Sequence, residues 1–145
     1  MRISSLHPLR HPPSTLSLPL ALHQVSAGFP SPADGYIERS LDLNELVIRN
    51  PHATFFVHVH GDSMINAGIR SGAILIIDRS VQPKSNDIVL VVLYGEFTVK
   101  RWVETEHSIV LVAENDQFPD IPVEPEMELQ VWGVVTYTLH CLSSC

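Results

Sequence analysis

The sequence predicts an all-β domain built from partly closed antiparallel sheets, with one short helix. Three observations support this prediction. Runs rich in β-branched and aromatic residues recur at short intervals from Thr54 onward, clusters of turn-forming residues separate them, and hardly any segment shows a helical period. The runs predict six strands, at residues 54–60, 73–78, 88–93, 96–102, 109–113 and 129–139.

The one helix is expected over residues 43–48, before the first of these strands. Asp42 is a favourable N-cap residue for it, and Asn50-Pro51 ends it because proline cannot continue a helix. The residues around Gly95 are expected to form a hairpin. The long apolar strand at 129–139 is expected at an exposed edge of the sheet, where it would invite pairing with a second copy of the chain.

Composition limits the class of protein. A chain of 145 residues is long enough for one domain with a real core. The net charge is −7 and no Lys/Arg cluster is present, which argues against direct nucleic-acid binding. Cys141 and Cys145 lie in the last five residues, so no disulfide framework is expected, which suits a cytoplasmic protein. No apolar run reaches the length of a transmembrane helix.

The chain divides into three parts by composition. Residues 1–27 are rich in Pro, Ser, His and Leu without helical or strand periodicity, and they are expected to form a mobile arm. Residues 28–51 are expected to form an extended linker with the short helix. Residues 52–145 are expected to form the β domain, which would carry catalysis and dimerisation.

The N-terminal part also has features of a secretory signal. A short apolar patch precedes Val25-Ser26-Ala27, which is similar to a signal-peptidase site. Pro19 interrupts this patch, and Pro12-Pro13 and several histidines surround it. Secretion with processing after Ala27 is therefore kept as an alternative.

A candidate nucleophile follows the first predicted strand of the β domain. Gly61 allows a sharp turn and Asp62 favours one, so Ser63 can present its hydroxyl at the end of the strand. The backbone N–H groups of Asp62 and Ser63 are candidates for stabilising an oxyanion. The alternative is an ordinary turn, because Gly-Asp-Ser is a common turn sequence.

A candidate general base lies in the strand after the hairpin. Alternation places Thr98, Lys100 and Trp102 on one face of that strand, and this setting could remove water from the lysine. Burial lowers the pKa of a lysine, and a neutral lysine can take the proton of a serine, as in Ser-Lys proteases. The alternative is a lysine that buries its stem and keeps its ammonium in water.

Several motifs in the same order resemble the UmuD/MucA family, over roughly residues 25–140. Members of this family are self-cleaving accessory subunits of polymerase V-type error-prone DNA polymerases, and they are related to the LexA repressor. The motifs are Ala27-Gly28-Phe29-Pro30-Ser31-Pro32-Ala33, Leu41-Asp42-Leu43-Asn44-Glu45-Leu46, Gly61-Asp62-Ser63-Met64-Ile65 and Gly95-Glu96-Phe97-Thr98-Val99-Lys100.

The resemblance implies a strongly bent LexA/UmuD-like β fold and a serine endopeptidase with Ser63 as nucleophile and Lys100 as general base. It implies self-cleavage of the Ala27–Gly28 bond, stimulated by the RecA filament on single-stranded DNA. The processed homodimer would then join a UmuC-like Y-family polymerase in SOS mutagenesis, without a cofactor. Too little chain precedes the β domain for the helix-turn-helix domain of a LexA repressor.

Two further interpretations remain open at this stage. His58 and His60 face one side of a strand, but no third ligand at a usable spacing completes a metal site, so no metal is expected. The chain could also be a binding module, a β-domain dimer that regulates a polymerase by contact while Ser63 and Lys100 are vestigial.

Overall fold

The computed structural model describes residues 1–9, 15, 17–21, 28 and 38–143. Within these residues the chain forms one short α-helix, α1, at Leu43–Val47, together with short 3-10 turns. The strands are β1 Arg2–Pro8, β2 Ser17–Ala21, β3 Glu38–Asp42, β4 Thr54–His60, β5 Ile74–Asp78, β6 Ile88–Leu93, β7 Glu96–Glu104, β8 Ile109–Val112, β9 Ile121–Pro122 and β10 Gln130–Leu139.

Eight of these strands form one antiparallel sheet in the order β1-β4-β5-β10-β6-β7-β8-β9. The sheet curls, because its edge strand β1 reaches β7 although four strands lie between them in the sheet. The hydroxyl of Thr98 on β7 donates to the carbonyl of Met1 at 3.3 Å. The all-β prediction with one short helix is therefore confirmed.

Each of the six predicted strands is present, within two residues at either end. The helix also begins where its N-cap predicts, because the carboxylate of Asp42 accepts from the backbone N–H of Asn44 at 3.0 Å. These elements form where the sequence predicts them because their signals are local: a capping side chain, a run of β-branched residues and the turns at its ends.

The expectation of no regular structure in residues 1–27 is wrong for β1 and β2. Residues Ile3 and Leu6 both pack on the core, although they are three positions apart. A register shift around Ser4 in the pairing with β4 brings them to the same side. Such a bulge breaks the alternation that marks a strand, so this one carries no period-2 signal in the sequence.

The expected position of the last strand is also wrong. β10 lies in the sheet between β5 and β6 and not at an edge. Residues 130–134 pair with β6, and residues 134–139 pair with β5. Its apolar character comes from this central position, so it gives no support to dimerisation through an open edge.

The chain divides into two compact units, at boundaries that differ from those expected. One unit contains Met1–Arg10 and Asn50–Cys145, and the other contains His11–Arg49, with β2, β3 and α1. The first residues of the chain thus belong to the same unit as the β domain, because β1 pairs with β4. Removal of residues 1–27 by self-cleavage remains a prediction.

Two groups of buried apolar side chains form the core of the larger unit. The first contains fully buried residues of β4, β5, β6 and β7, together with Met64 and Ile69 from the turns between β4 and β5. The second contains Val89, Val91, Trp102, Leu111 and Val134 among others. Neighbouring residues of β6 and β7 alternate between the two groups, so the sheet has apolar packing on both faces.

The sequence analysis predicts that the chain has no transmembrane helix and no disulfide framework. In the described part of the chain, no helix is long and apolar enough to cross a membrane. Cys141 is disulfide-bonded. The only other cysteine of the sequence, Cys145, lies outside the described residues.

Candidate active site

Ser63 lies in the turn that leaves β4. Gly61 begins this turn with a φ of +102°, a conformation that is strained for other residues, and its N–H donates to the hydroxyl of Ser71 at 3.0 Å. Met64 follows and is completely buried in the first core group. Because a glycine turn precedes the serine and a core residue follows it, the position of Ser63 is fixed from both sides. Ser63 itself is fully buried.

The segment after β8 holds the other side of this turn. The N–H of Glu114 donates to the carbonyl of Ser63 at 2.8 Å, and its carbonyl accepts from the N–H of Asn66 at 2.9 Å. The side-chain amide of Asn115 donates to the carbonyl of Asp62 at 3.0 Å. The sequence analysis missed Glu114 and Asn115, because no local sequence pattern marks a loop that forms hydrogen bonds with a turn about fifty positions away.

Glu114 also connects the serine turn to the strand of Lys100. Its carboxylate forms an ion pair with the guanidinium of Arg101, the residue next to Lys100 on β7. Arg101 in turn donates to the carbonyl of Asn86 at 2.6 Å. Charge-assisted bonds of this kind are directional and among the stronger ones in proteins. The carboxylate and the backbone of Glu114 therefore join the two segments that carry the candidate site residues.

The two backbone amides predicted to bind an oxyanion have no acceptor in the part of the chain that the structure describes. The N–H groups of Asp62 and Ser63 take part in no hydrogen bond there. The carbonyls of the same two residues, in contrast, are bonded to Ile65, Asn115 and Glu114. The catalytic role of both N–H groups stays a prediction.

Lys100 is in the middle of β7 and is only 6% exposed. It pairs with Val89 on β6, which is fully buried, so the two side chains share one face of the sheet. Thr98 and Trp102 lie on the same face by alternation. The predicted apolar setting of Lys100 is what the structure shows.

This setting determines the pKa of Lys100. Burial lowers the pKa of its ammonium from the ordinary value of 10.5, and the carboxylate of Asp120 acts in the opposite direction. The ring of Phe118 lies 5.7 Å from the Nζ atom. Among the described residues, no side chain or carbonyl forms a hydrogen bond or an ion pair with this ammonium. Burial, the larger of the two effects, favours the neutral amine.

The α-amino group of Met1 contacts the candidate nucleophile directly. It donates a hydrogen bond to the Oγ of Ser63 at 2.8 Å. Burial lowers the pKa of this amine, and the nearby charges of Lys100 and then Arg2 lower it further. One amine thus bonds to Ser63 and lies close enough to Lys100 to be affected by its charge. The placement of Ser63 and Lys100 as a catalytic pair stays a prediction.

The predicted cleavage site is described only in part. Ala27 lies outside the described residues. Gly28 is exposed, and no described residue has a heavy atom within 4 Å of the position that a Cβ would occupy. It belongs to the smaller unit of the chain. Its role as part of the cleaved bond stays a prediction.

The model of the Peptidase S24-like family matches residues 19–136 of this chain. The chain belongs to this family. It is 41% identical to Protein MucA of Salmonella typhimurium over 124 residues, which are 85% of this chain and 84% of MucA. It is 44% identical to Protein SamA of Salmonella typhimurium strain LT2 over 128 residues, covering 88% of this chain and 89% of SamA.

The family also includes repressors. LexA repressor 1 of Geobacter sulfurreducens is 37% identical to this chain over 123 residues, which cover 84% of this chain but 60% of the repressor. Membership in the S24-like family implies a serine peptidase of the LexA/UmuD kind. The resemblance to the UmuD/MucA family predicted from the motifs is confirmed.

Within this S24-like domain, two of the buried polar side chains have an evident structural role. Thr54 donates from its hydroxyl to the carbonyl of Asn50 at 2.6 Å, and Asp78 accepts from the N–H and hydroxyl of Ser80. Ser63 and Lys100 are the other buried polar residues of the described chain. Among the described residues, the Oγ of Ser63 bonds only to the amine of Met1, and no side-chain hydrogen bond of Lys100 supports a turn or strand.

His58 and His60, the alternative metal ligands, lie on β4 with half-buried and exposed side chains. Across the described ranges, no three His, Cys, Asp or Glu side chains are grouped so that they could hold a metal ion.

Proposed function

We propose that this chain is a self-cleaving serine endopeptidase of the SOS response, with a Ser63–Lys100 dyad that cuts its own Ala27–Gly28 bond. In this proposal the RecA filament on single-stranded DNA stimulates the cleavage. The processed form is then the accessory subunit of an error-prone translesion polymerase. The observation that supports this most is that one amine, that of Met1, both bonds to Ser63 and has its pKa lowered by the charge of Lys100.

The reaction begins with a proton transfer. Neutral Lys100 takes the hydroxyl proton of Ser63, and the Oγ attacks the carbonyl carbon of Ala27. The carbonyl oxygen becomes an oxyanion, which the N–H groups of Asp62 and Ser63 stabilise. When the tetrahedral intermediate collapses, the C–N bond breaks and Lys100 returns the proton to the amine of Gly28.

The second half of the reaction restores the enzyme. Water, deprotonated by Lys100, attacks the ester between Ser63 and Ala27, and the ester bond breaks. The Oγ of Ser63 recovers its proton, and residues 1–27 leave with a free carboxylate at Ala27. All chemical steps use side chains and backbone groups of this chain.

The partners in this proposal follow from the relatives and from the charge of the chain. The names MucA, SamA and LexA repressor place the relatives among SOS proteins. An acidic chain without a basic cluster is not attracted to the negatively charged phosphate backbone of DNA. We therefore assign its contacts with DNA to protein partners in the cytoplasm: RecA as activator, a UmuC-like Y-family polymerase, and a second copy of the chain in a homodimer.

Incubation with an activated RecA filament tests this proposal directly. Wild-type protein should give a fragment whose N-terminal sequence begins at Gly28. Ser63→Ala and Lys100→Ala should give no fragment, and Lys84→Ala, which changes an exposed lysine, should cleave like wild type.

The same experiment separates the alternatives. If the wild-type chain remains intact while it still binds a polymerase, the protein is a binding module and the peptidase proposal fails. If processing after Ala27 occurs in cells and does not depend on Ser63, a signal peptidase is responsible and the proposal fails as well.

A further inference from the structure

The first strand of the chain, β1, lies along the outer edge of β4, the strand that leads to Ser63. β4 pairs with β5 along one edge and with β1 along the other, and it runs directly into the serine turn. A strand edge of this kind binds extended peptides, because its free N–H and C=O groups form a new ladder with them. In this structure, Arg2–Pro8 of the same chain forms that ladder.

Two side chains attach β1 to the domain. Ile3 is opposite Val59 and Leu6 is opposite Val57. Both β4 valines are completely buried, and both β1 side chains pack on the same core group. Ser4, in contrast, is exposed and lies at the register shift between them. The strand is therefore docked through specific apolar contacts in addition to its backbone.

Because β1 runs antiparallel to β4, the beginning of β1 lies next to the candidate nucleophile Ser63. Met1 donates from its amino group to the Oγ of Ser63 at 2.8 Å and accepts from Thr98 at 3.3 Å. Its Cα is 3.6 Å from where a Cβ on Gly61 would lie. Met1 therefore lies against the serine turn and against β7, in the space that a substrate carbonyl needs to reach the Oγ of Ser63.

We propose that the outer edge of β4 is the docking site for the extended peptide that this peptidase cuts, and that residues 1–8 are its built-in competitor. This inference rests on the proposed function. Cleavage requires that β1 leaves the edge, so that the segment around Ala27 and Gly28 can take its place. Docked β1 lowers the population of the competent state, and an activator that prefers the undocked state raises it.

A pair of double variants of the full chain tests this proposal. Ile3→Asp with Leu6→Asp places two carboxylates against the core and should release β1. Ser4→Asp with His7→Asp adds the same charge at exposed positions of the same strand, so β1 should stay docked. Thermal unfolding of both variants verifies that the β domain remains folded.

The first readout is the rate at which a fluorophosphonate modifies Ser63, followed by mass spectrometry. We expect the Ile3/Leu6 variant to react at least tenfold faster than wild type and the Ser4/His7 variant to react at the wild-type rate. If Ser63 reacts measurably and at the same rate in all three proteins, the proposal is overturned.

The second readout does not depend on catalysis. Amide hydrogen exchange should speed up along Thr54–His60 only in the Ile3/Leu6 variant, and a synthetic peptide of residues 1–9 should restore the protection. The same peptide with the Ile3→Asp and Leu6→Asp changes should have no effect.

The two readouts distinguish the two proposals. If exchange follows β1 as expected but Ser63 is inert in every protein, the docking site stands and the peptidase function fails. If exchange along β4 is the same in all variants, the docking proposal fails whatever happens at Ala27–Gly28.

Discussion

Lys100 is the residue whose ionisation matters most to this protein. Its pKa lies below the ordinary value because burial disfavours the charged form, and Asp120 partly offsets this effect. At neutral pH, folding must therefore bury an ammonium that the unfolded chain keeps in water. In the proposed mechanism, a neutral fraction of this amine makes Ser63 a usable nucleophile.

Replacing this lysine should stabilise the fold while it removes activity. Below the lowered pKa, Lys100→Met removes the cost of burying a charge, and we expect a gain of about 1 kcal/mol in the free energy of unfolding at pH 7. The gain should disappear above pH 10.5, where the unfolded lysine is also neutral. Urea unfolding across this pH range measures it. A variant less stable than wild type at pH 7 would contradict this account of Lys100.

Asp120 should set the pH at which the reaction begins. Its carboxylate favours the ammonium form of Lys100, so Asp120→Asn should lower the pKa of the lysine further. Because Asp120 is exposed and its charge is screened by water, we expect a small downward move of the midpoint of the pH–rate profile. Asp116→Asn, at another exposed carboxylate of the same loop, is the control and should not move the midpoint.

At the scale of elements, the local parts of the fold could be predicted from the sequence and the long-range parts could not. Strands β4 to β8 and β10, the helix cap and the serine turn each have a signal within a few residues. β1 has none, because a bulge brings Ile3 and Leu6 to the same side. The central place of β10 and the bonds from Glu114 to Ser63 depend on pairings between distant segments, which no local pattern encodes.

The loop after β8 should therefore influence activity more than stability. Asn115→Ala removes the bond to the carbonyl of Asp62 and the bond that the side-chain oxygen accepts from the N–H of Gln117, and it leaves the site residues unchanged. We expect a loss of about 1 kcal/mol in stability and a decrease of about tenfold in the cleavage rate, because the turn that carries Ser63 loses one of its supports. Gln117→Ala, at an exposed position of the same loop, should change neither. A wild-type rate in Asn115→Ala would show that this support is dispensable.

At the scale of the whole molecule, one curled sheet brings distant parts of the chain to a single place. The first residue contacts both the turn after β4 and strand β7, because the sheet bends until β1 reaches β7. The apolar packing on both faces makes this curvature rigid. Strands β10 and β5 approach each other closely in this curved sheet, since a Cβ on Gly133 would lie 2.5 Å from a methyl group of Ile77.

Gly133→Ala should therefore strain the centre of the sheet. The added methyl group overlaps Ile77 and comes to 3.2 Å from the carbonyl of Asp78, so we expect a loss of about 1–3 kcal/mol in the free energy of unfolding. Gly28→Ala, where no described residue has a heavy atom within 4 Å of the new Cβ, should change stability by less than about 0.5 kcal/mol. Equal stability of the two variants would contradict the packing described for β10.

The most direct test of the central claim is the pH dependence of unassisted cleavage. If the buried amine of Lys100 takes the proton of Ser63, the rate at which wild-type protein produces the fragment beginning at Gly28 should rise with pH as the ammonium deprotonates, and level off above its lowered pKa. The amine of Met1, which bonds to Ser63, also loses its proton as the pH rises. The Ile3→Asp, Leu6→Asp variant, which should release β1, is therefore measured beside wild type. A rate that stays flat from about pH 7 to 10 in both proteins would contradict the role of Lys100 as the base.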